Sequence, residues 1–385
     1  MEYKLATSTW DHKEIDAIHE VIQSDMFSMG EKVEMFEKDF ANFIGSKYSV
    51  MCNSGSSANL LMVGALFYSK IPYLKRGDEI IVPTVSWSTS YFPLQQYGLK
   101  LKFVDINLKT LNYELTELKK AVNNNTKAIL AVNLLGNPND FDQIFKIIDG
   151  RNIVLIEDNC ESLGAKYNGK HAGTFGLMGT FSSFFSHHIA TMEGGIVVTD
   201  NEELYHILLC LRAHGWTRNL PKKNHILNKS NNWFEESFKF VLPGYNFRPI
   251  EMSGAIGIEQ LKKLPDFINQ RRKNADLFKK LFENDNRFII QKEIGESSWF
   301  GFSLVINDTK KRAEIVQLLE LSNIESRPIV AGDFTQNPAL KFIDFEIVGD
   351  LPNSKKIHND SFFVGNSHLD LTNELHYLRS KLLDL

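Results

Sequence analysis

Residues 48–67 read YSVMCNSGSSANLLMVGALF: a short apolar run, a Gly-Ser turn, then an apolar stretch long enough for a helix. The same unit recurs outward from it. Strand-like runs follow at 79–83 (EIIVP), 101–106 (LKFVDI), 127–136 (KAILAVNLLG) and 152–158 (NIVLIED), with helical patterns at 115–122 (LTELKKAV) and 141–148 (FDQIFKII) between them. Short, nearly continuous apolar strands alternating with helices predict an α/β layer built on a mostly parallel sheet.

On the upstream side, Ile15, Ile18, Val21 and Ile22 recur at helical spacing, and a second amphipathic stretch runs from about Glu31 to Phe43, giving a helical lead-in. Downstream come a Gly-rich turn, the segment TFSSFFSHHIATMEGG (180–195), a strand GGIVVTD (194–200) and a helix of about a dozen residues from Asn201. Residues 217–243 mix polar and basic residues with Trp233 and Phe234, and read as an exposed excursion toward a partner subunit. Pro265 is taken as a boundary, with a helix carrying Phe267, Ile268, Leu277 and Leu281 beginning beyond it. The strand FGFSLVI (300–306) and a helix over KRAEIVQLLEL (311–321) then complete a smaller α+β unit. The expected division is a large domain over 1–264 and a small one over 265–385.

With 385 residues, 43% hydrophobic and 23% charged at a formal net charge of -4, the chain has the material for a large core and no excess of charge to suggest a nucleic-acid or membrane surface. The start, MEYKLATSTWDHKE, has no basic-then-apolar leader pattern, and no run approaches eighteen apolar residues. A cytoplasmic protein is expected. Cys52, Cys160 and Cys210 are scattered and form no C-x-x-C pair, which predicts reduced thiols and no metal site.

Four features carry chemistry. Asn53–Asn59, at a helix start, offers the backbone N–H groups of Gly55 and Ser56 and the Ser56 hydroxyl to an anion such as a phosphate; ordinary capping by serine is the alternative. Asp158 ends a strand, where ligands bind in open α/β sheets, and its carboxylate suits a protonated pyridine nitrogen; capping of the next turn would also use it. Trp87 follows EIIVP and suits stacking on a flat ring, against the alternative of core packing. In the fourth, Ser182 suits a phosphate oxygen, and an imidazole of ordinary pKa near ~6.5 at His187 or His188 suits proton transfer at neutral pH. If the backbone is extended, only one of those two histidines faces a given pocket.

Taken in order, SGSS, PTVSW, VLIEDNCESLGA, the Ser182 segment ending in Glu-Gly-Gly, RAHGWTR and GYNFRPIEMSGAIGIEQL resemble the DegT/DnrJ/EryC1/StrS family of sugar aminotransferases, a branch of the fold-type I pyridoxal phosphate enzymes, over essentially the whole chain. The resemblance implies an aspartate-aminotransferase-like fold and a cofactor held by Gly55, Ser56, Trp87, Asp158, Glu161, Ser182 and Asn246. Asn246 would come from the neighbouring subunit of a homodimer with shared active sites. His214, Arg218 and Arg248 are the implied substrate contacts.

Aligned on Ser182 and Gly194–Gly195, the family's cofactor-anchoring lysine falls on His187, with His188 the competing position. Histidine cannot bond covalently to the aldehyde, so pyridoxal 5'-phosphate or pyridoxamine 5'-phosphate would be held noncovalently. This departure resembles the pyridoxamine-dependent sugar 3-dehydratases. It implies a GDP-linked 4-keto-6-deoxy sugar and L-glutamate as reactants, ammonia and a 4-keto-3,6-dideoxy sugar as products, and a place in colitose-type O-antigen biosynthesis. Three scattered cysteines are too few for the iron-sulfur cluster of the related CDP-sugar enzymes. A nucleotide-sugar aminotransferase and a noncatalytic cofactor-binding relative are the alternatives.

Overall fold

The computed structural model describes residues 1–307 and 312–383. Lys311, the first residue of the expected helix 311–321, lies outside them; that helix is described as Arg312–Leu321.

The strand-turn-helix units form one eight-stranded sheet. Its members are β1 (Tyr48–Cys52), β2 (Glu79–Pro83), β3 (Lys100–Val104), β4 (Thr126–Val132), β5 (Val154–Asp158), β8 (Gly179–Ser182), β9 (Gly195–Thr199) and β13 (Phe345–Ile347), while β6 (Lys166–Tyr167) and β7 (Lys170–His171) make a separate hairpin. The spatial order is β1-β9-β8-β5-β4-β2-β3-β13. The pairs from β8 to β13 are all parallel, and β9 is antiparallel to both of its neighbours. Seven strands therefore run one way, and their carboxyl ends share one edge of the sheet. β2 and β9 are buried along their whole length, as expected for strands covered on both faces.

A second sheet, ordered β10-β11-β14-β12, consists of β10 (Phe288–Ile290), β11 (Gly301–Ile306), β12 (Ser326–Arg327) and β14 (Ser361–Gly365). Phe278, Phe282, Leu319, Leu375, Leu378 and Leu382 pack against it from helices.

The expectation that a helix begins after Pro265 is corrected. One helix runs from Glu251 to Phe282 with Pro265 inside it. Its buried positions, Leu261 and Leu264 before the proline and Arg271, Ala275, Phe278 and Phe282 after it, continue one stripe at helical spacing. Packing along that stripe outweighs the one hydrogen bond that proline removes. The two sheets also exchange segments: β13, from the C-terminal third, completes the edge of the large sheet beside β3, while Tyr3 from the N-terminus bridges to Ile324 beside the small one. Among the described residues, no helix is long and apolar enough to cross a membrane.

Candidate active site

A cavity of about 580 Å³ lies at the carboxyl ends of β1, β2, β4, β5 and β8, where the small sheet closes over the large one. Its walls include Gly55, Ser56, Trp87, Asp158, Glu161, Ser182 and His187, so seven of the eleven expected site residues meet in one place. Parallel strands all deliver their following loops to this edge, which is why residues more than a hundred positions apart converge.

The helix Gly55–Tyr68 begins at the cavity with Ser54 as its cap, the Ser54 hydroxyl accepting from Ser57 N at 3.1 Å. Serine capping and anion binding are compatible here, because first-turn N–H groups outnumber what one cap can satisfy. A Cβ on Gly55 would stand 2.7 Å from Ser182 Cβ, so only glycine allows the turn to close on Ser182. The result is a cradle of backbone N–H groups and serine hydroxyls that fits a phosphate.

Asp158 is 5% exposed and fixed on three sides. Its Oδ2 accepts from Asn59 Nδ2 (2.8 Å) and Ser90 Oγ (2.7 Å), and its Oδ1 from Cys160 N (3.1 Å). Asn59 and Ser90, not anticipated from the sequence as site residues, orient this carboxylate. Trp87 is 60% exposed and caps the helix Ser88–Gln96 at the cavity wall. Core packing does not account for it, and an indole standing free suits stacking on a flat ring. Cys160 also lines the wall, and its thiol is pushed well up, chiefly by burial.

His187 and His188 separate cleanly. His187 lines the cavity, its ring edge-on to Phe300 at 5.2 Å, and its Nδ1 has no hydrogen-bond partner among the described residues. His188 is fully buried, with Nε2 bonded to the Ser298 carbonyl at 3.1 Å. The expectation of an imidazole with its ordinary pKa is corrected: burial, aided by the Arg271 cation, pushes His187 down to about 4. At pH 7 it is neutral and free to accept a proton. Glu161 moves the other way, up to about 7, through burial and then the nearby Asp158, opposed by a bond from Leu135 N at 3.0 Å.

Four expected residues stand away from this cavity. Asn246 accepts from Arg248 Nε at 3.0 Å on the exposed surface, His214 is exposed with its N–H bonded to the Tyr245 carbonyl, and Arg218 lies over the Trp216 ring at 5.4 Å. Antiparallel bridges Ala213–Asn246 and Trp216–Phe240 hold the two segments that carry these residues side by side. Conversely, Arg327 and Pro328 from the small sheet do line the cavity, and Arg327 is its one arginine or lysine among the described residues. The sequence offers Glu325–Pro328 as a segment approaching the nucleotide, with an exposed charged turn as the alternative, and two of its four residues stand at the cavity.

A mostly parallel α/β sheet with a phosphate cradle, a fixed carboxylate and a free indole at its carboxyl edge defines a pyridoxal-phosphate-type site, and the chain belongs to the DegT/DnrJ/EryC1/StrS aminotransferase family, whose model matches residues 8–375. The GDP-4-keto-6-deoxy-D-mannose 3-dehydratase of Yersinia pseudotuberculosis is 63% identical over 97% of this chain and 96% of its own length. Two solved structures of a GDP-4-keto-6-deoxymannose-3-dehydratase, one a histidine-to-asparagine variant with bound GDP-perosamine and one with a trapped PLP-glutamate geminal diamine, are each 60% identical, with TM-score 0.98 over 99% of this chain and 100% of theirs.

Proposed function

We propose that this chain removes the C3 hydroxyl of a GDP-linked 4-keto-6-deoxy sugar, with glutamate as amine donor, releasing ammonia and a 4-keto-3,6-dideoxy sugar. The observation that carries this reading is His187 at the cavity wall where the family has lysine, with no lysine among the described lining residues. The relatives named above support it.

When bound, the cofactor supplies an amine and an electron sink; the protein does the rest. Gly55, Ser56 and Ser182 would hold its phosphate, Trp87 would stack on its ring, and Asp158 would keep the ring nitrogen protonated. Asn59 and Ser90 hold the Asp158 carboxylate ready for that role. His187, neutral at pH 7, accepts the proton released beside the cofactor's amine and returns a proton to the departing C3 oxygen, which leaves as water. Overall the sugar loses one oxygen, glutamate becomes 2-oxoglutarate, and nitrogen leaves as ammonia. A histidine moves protons without forming the covalent link that a lysine would, so the site is not drawn back to ordinary transamination.

The cytoplasm, O-antigen sugar synthesis, a large unit over 1–264 and a small one over 265–385 belong to the same reading. So does a homodimer in which Asn246, with His214, Arg218 and Arg248, serves the neighbouring subunit's cavity; the exposure of Asn246, His214 and Arg218 away from their own chain's cavity supports it. Incubation with glutamate, pyridoxal phosphate and GDP-4-keto-6-deoxymannose, followed by mass spectrometry, tests the reaction. A product lacking one oxygen and free ammonia are expected; an amino sugar would establish the aminotransferase alternative, and no turnover the noncatalytic one.

A further inference from the structure

Catalytic histidines are commonly held in orientation by a hydrogen bond to the ring nitrogen away from the substrate. His187 has none among the described residues, its Nδ1 being without a partner there. What fixes its ring is packing against Phe184 and Phe300, with centroids at 6.0 and 5.2 Å. The orientation of the imidazole therefore depends on where the backbone sets Phe300.

That backbone is unusual. Trp299, fully buried, has φ +47, and Leu135, which faces it, has φ +51. Both are side-chain-bearing residues in the left-handed region, a conformation that persists only when its surroundings over-determine it. The two segments are zipped together: Ser298 N donates to the Gly136 carbonyl at 2.9 Å and Phe300 N to the Leu135 carbonyl at 3.0 Å. A Cβ on Gly136 would stand 2.5 Å from Trp299 N, so the approach requires glycine.

The other side of the kink is held by Arg271, from the long helix. Its Nη1 reaches the carbonyls of Trp299 (3.4 Å), Phe300 (3.2 Å) and Asn366 (2.8 Å). Asn366 Nδ2 closes the loop by donating to the Trp299 carbonyl at 2.9 Å and to the Arg271 carbonyl at 3.1 Å. Arg271 is 3% exposed and makes no ion pair with any described carboxylate; its bonds are to carbonyl oxygens. A buried cation left without a counter-ion is costly, and solvated fold-building alone does not call for one.

We infer that Arg271 is a positioning residue for His187: it clamps the left-handed turn at Trp299, and that turn presents the Phe300 ring as the surface against which the His187 imidazole is set. The same cation disfavours a second positive charge on either histidine. The charged or titratable groups around His187 are Arg271 and His188 behind it and Asp158, Cys160, Glu161, Glu193 and Arg327 around the cavity. The inference rests on the proposed role of His187 as the base.

Three variants of the full-length protein test it: Arg271→Met, Arg271→Lys and Phe300→Ala. Each is expected to lower kcat for deoxygenation by roughly 10²-fold through misplacement of the base, with pyridoxamine phosphate affinity, read by fluorescence titration, unchanged. In the apo protein, 15N-labelled imidazole shifts should show His187 titrating at higher pH in Arg271→Met and at the wild-type pH in Arg271→Lys, which keeps the cation. If Arg271→Met does not fold, Phe300→Ala still reports the packing and Arg271→Lys the clamp. A folded Arg271→Met with wild-type kcat and a wild-type His187 titration overturns the inference; so does a loss of cofactor affinity parallel to the loss of kcat, which would make the clamp merely structural. The imidazole titration needs no turnover, so the effect of the Arg271 cation on His187 is read even if the protein proves not to dehydrate this sugar.

Discussion

His187 and His188 are neighbours in sequence with opposite circumstances, one at a cavity wall and one sealed against the Ser298 carbonyl. Substituting His187→Asn should leave cofactor binding intact and abolish C3 deoxygenation; normal dehydration by the variant would remove His187 from the mechanism. His187→Lys should restore a covalent link to pyridoxal phosphate, seen as a new absorbance band. Glu161 gives a pH-dependent test. Its folded pKa of about 7 lies above the ordinary carboxyl value, so the neutral form contributes stability that is complete below about 4.5 and is lost as pH rises through 7. Glutamine mimics the neutral carboxyl, so the melting temperature of Glu161→Gln relative to wild type should rise between pH 5 and pH 8; a difference independent of pH would show that Glu161 does not titrate there. At this scale the sequence revealed which residues would gather but not their protonation. Burial of His187 and the approach of Arg271, 84 positions later, are properties of packing that no local pattern encodes.

Between elements, charge substitutes for a missing cap. The helix Glu31–Ile44 begins at Gly30, which has no side chain to cap it, and the carboxylate of Glu251 accepts from Gly30 N (2.6 Å) and Val33 N (3.3 Å). Glu251→Ala should lower stability by about 1.5–3 kcal/mol, the range for hydrogen bonds to a charged group, measurable as a shifted urea midpoint. At the cradle, Gly55→Ala forces a methyl against Ser182 and should weaken cofactor binding by roughly 1–3 kcal/mol; an unaltered dissociation constant would place the phosphate elsewhere. The strands were the most readable elements: EIIVP is β2 to the residue, and FDQIFKII is the helix Phe141–Ile148. The long helix was not, because proline is a strong local signal for a break while the stripe that carries the helix through it is satisfied only by the elements packed around it.

For the whole molecule, the proposed shared site makes a quantitative prediction. Mixing His187→Asn with Asn246→Ala subunits should recover roughly a quarter of wild-type activity, since half of randomly formed dimers are hybrids and each hybrid rebuilds one of two sites. No recovery after verified exchange of subunits would confine each site to one chain. The fold class was legible from the alternation of strands and helices, but the exchange of segments between the sheets was not, because β13 is three residues long and Tyr3 a single bridge. That exchange has a consequence for biogenesis. β13 begins 245 positions after the start of β3, the strand it covers. On a ribosome adding about 5–20 residues per second, the edge of the large sheet stays bare for ~12–50 s after β3 has emerged. Throughout that interval the nascent chain carries an unpaired parallel edge able to recruit another strand, so the temperature and speed of synthesis, more than the stability of the finished enzyme, should govern how much of it is recovered in native form.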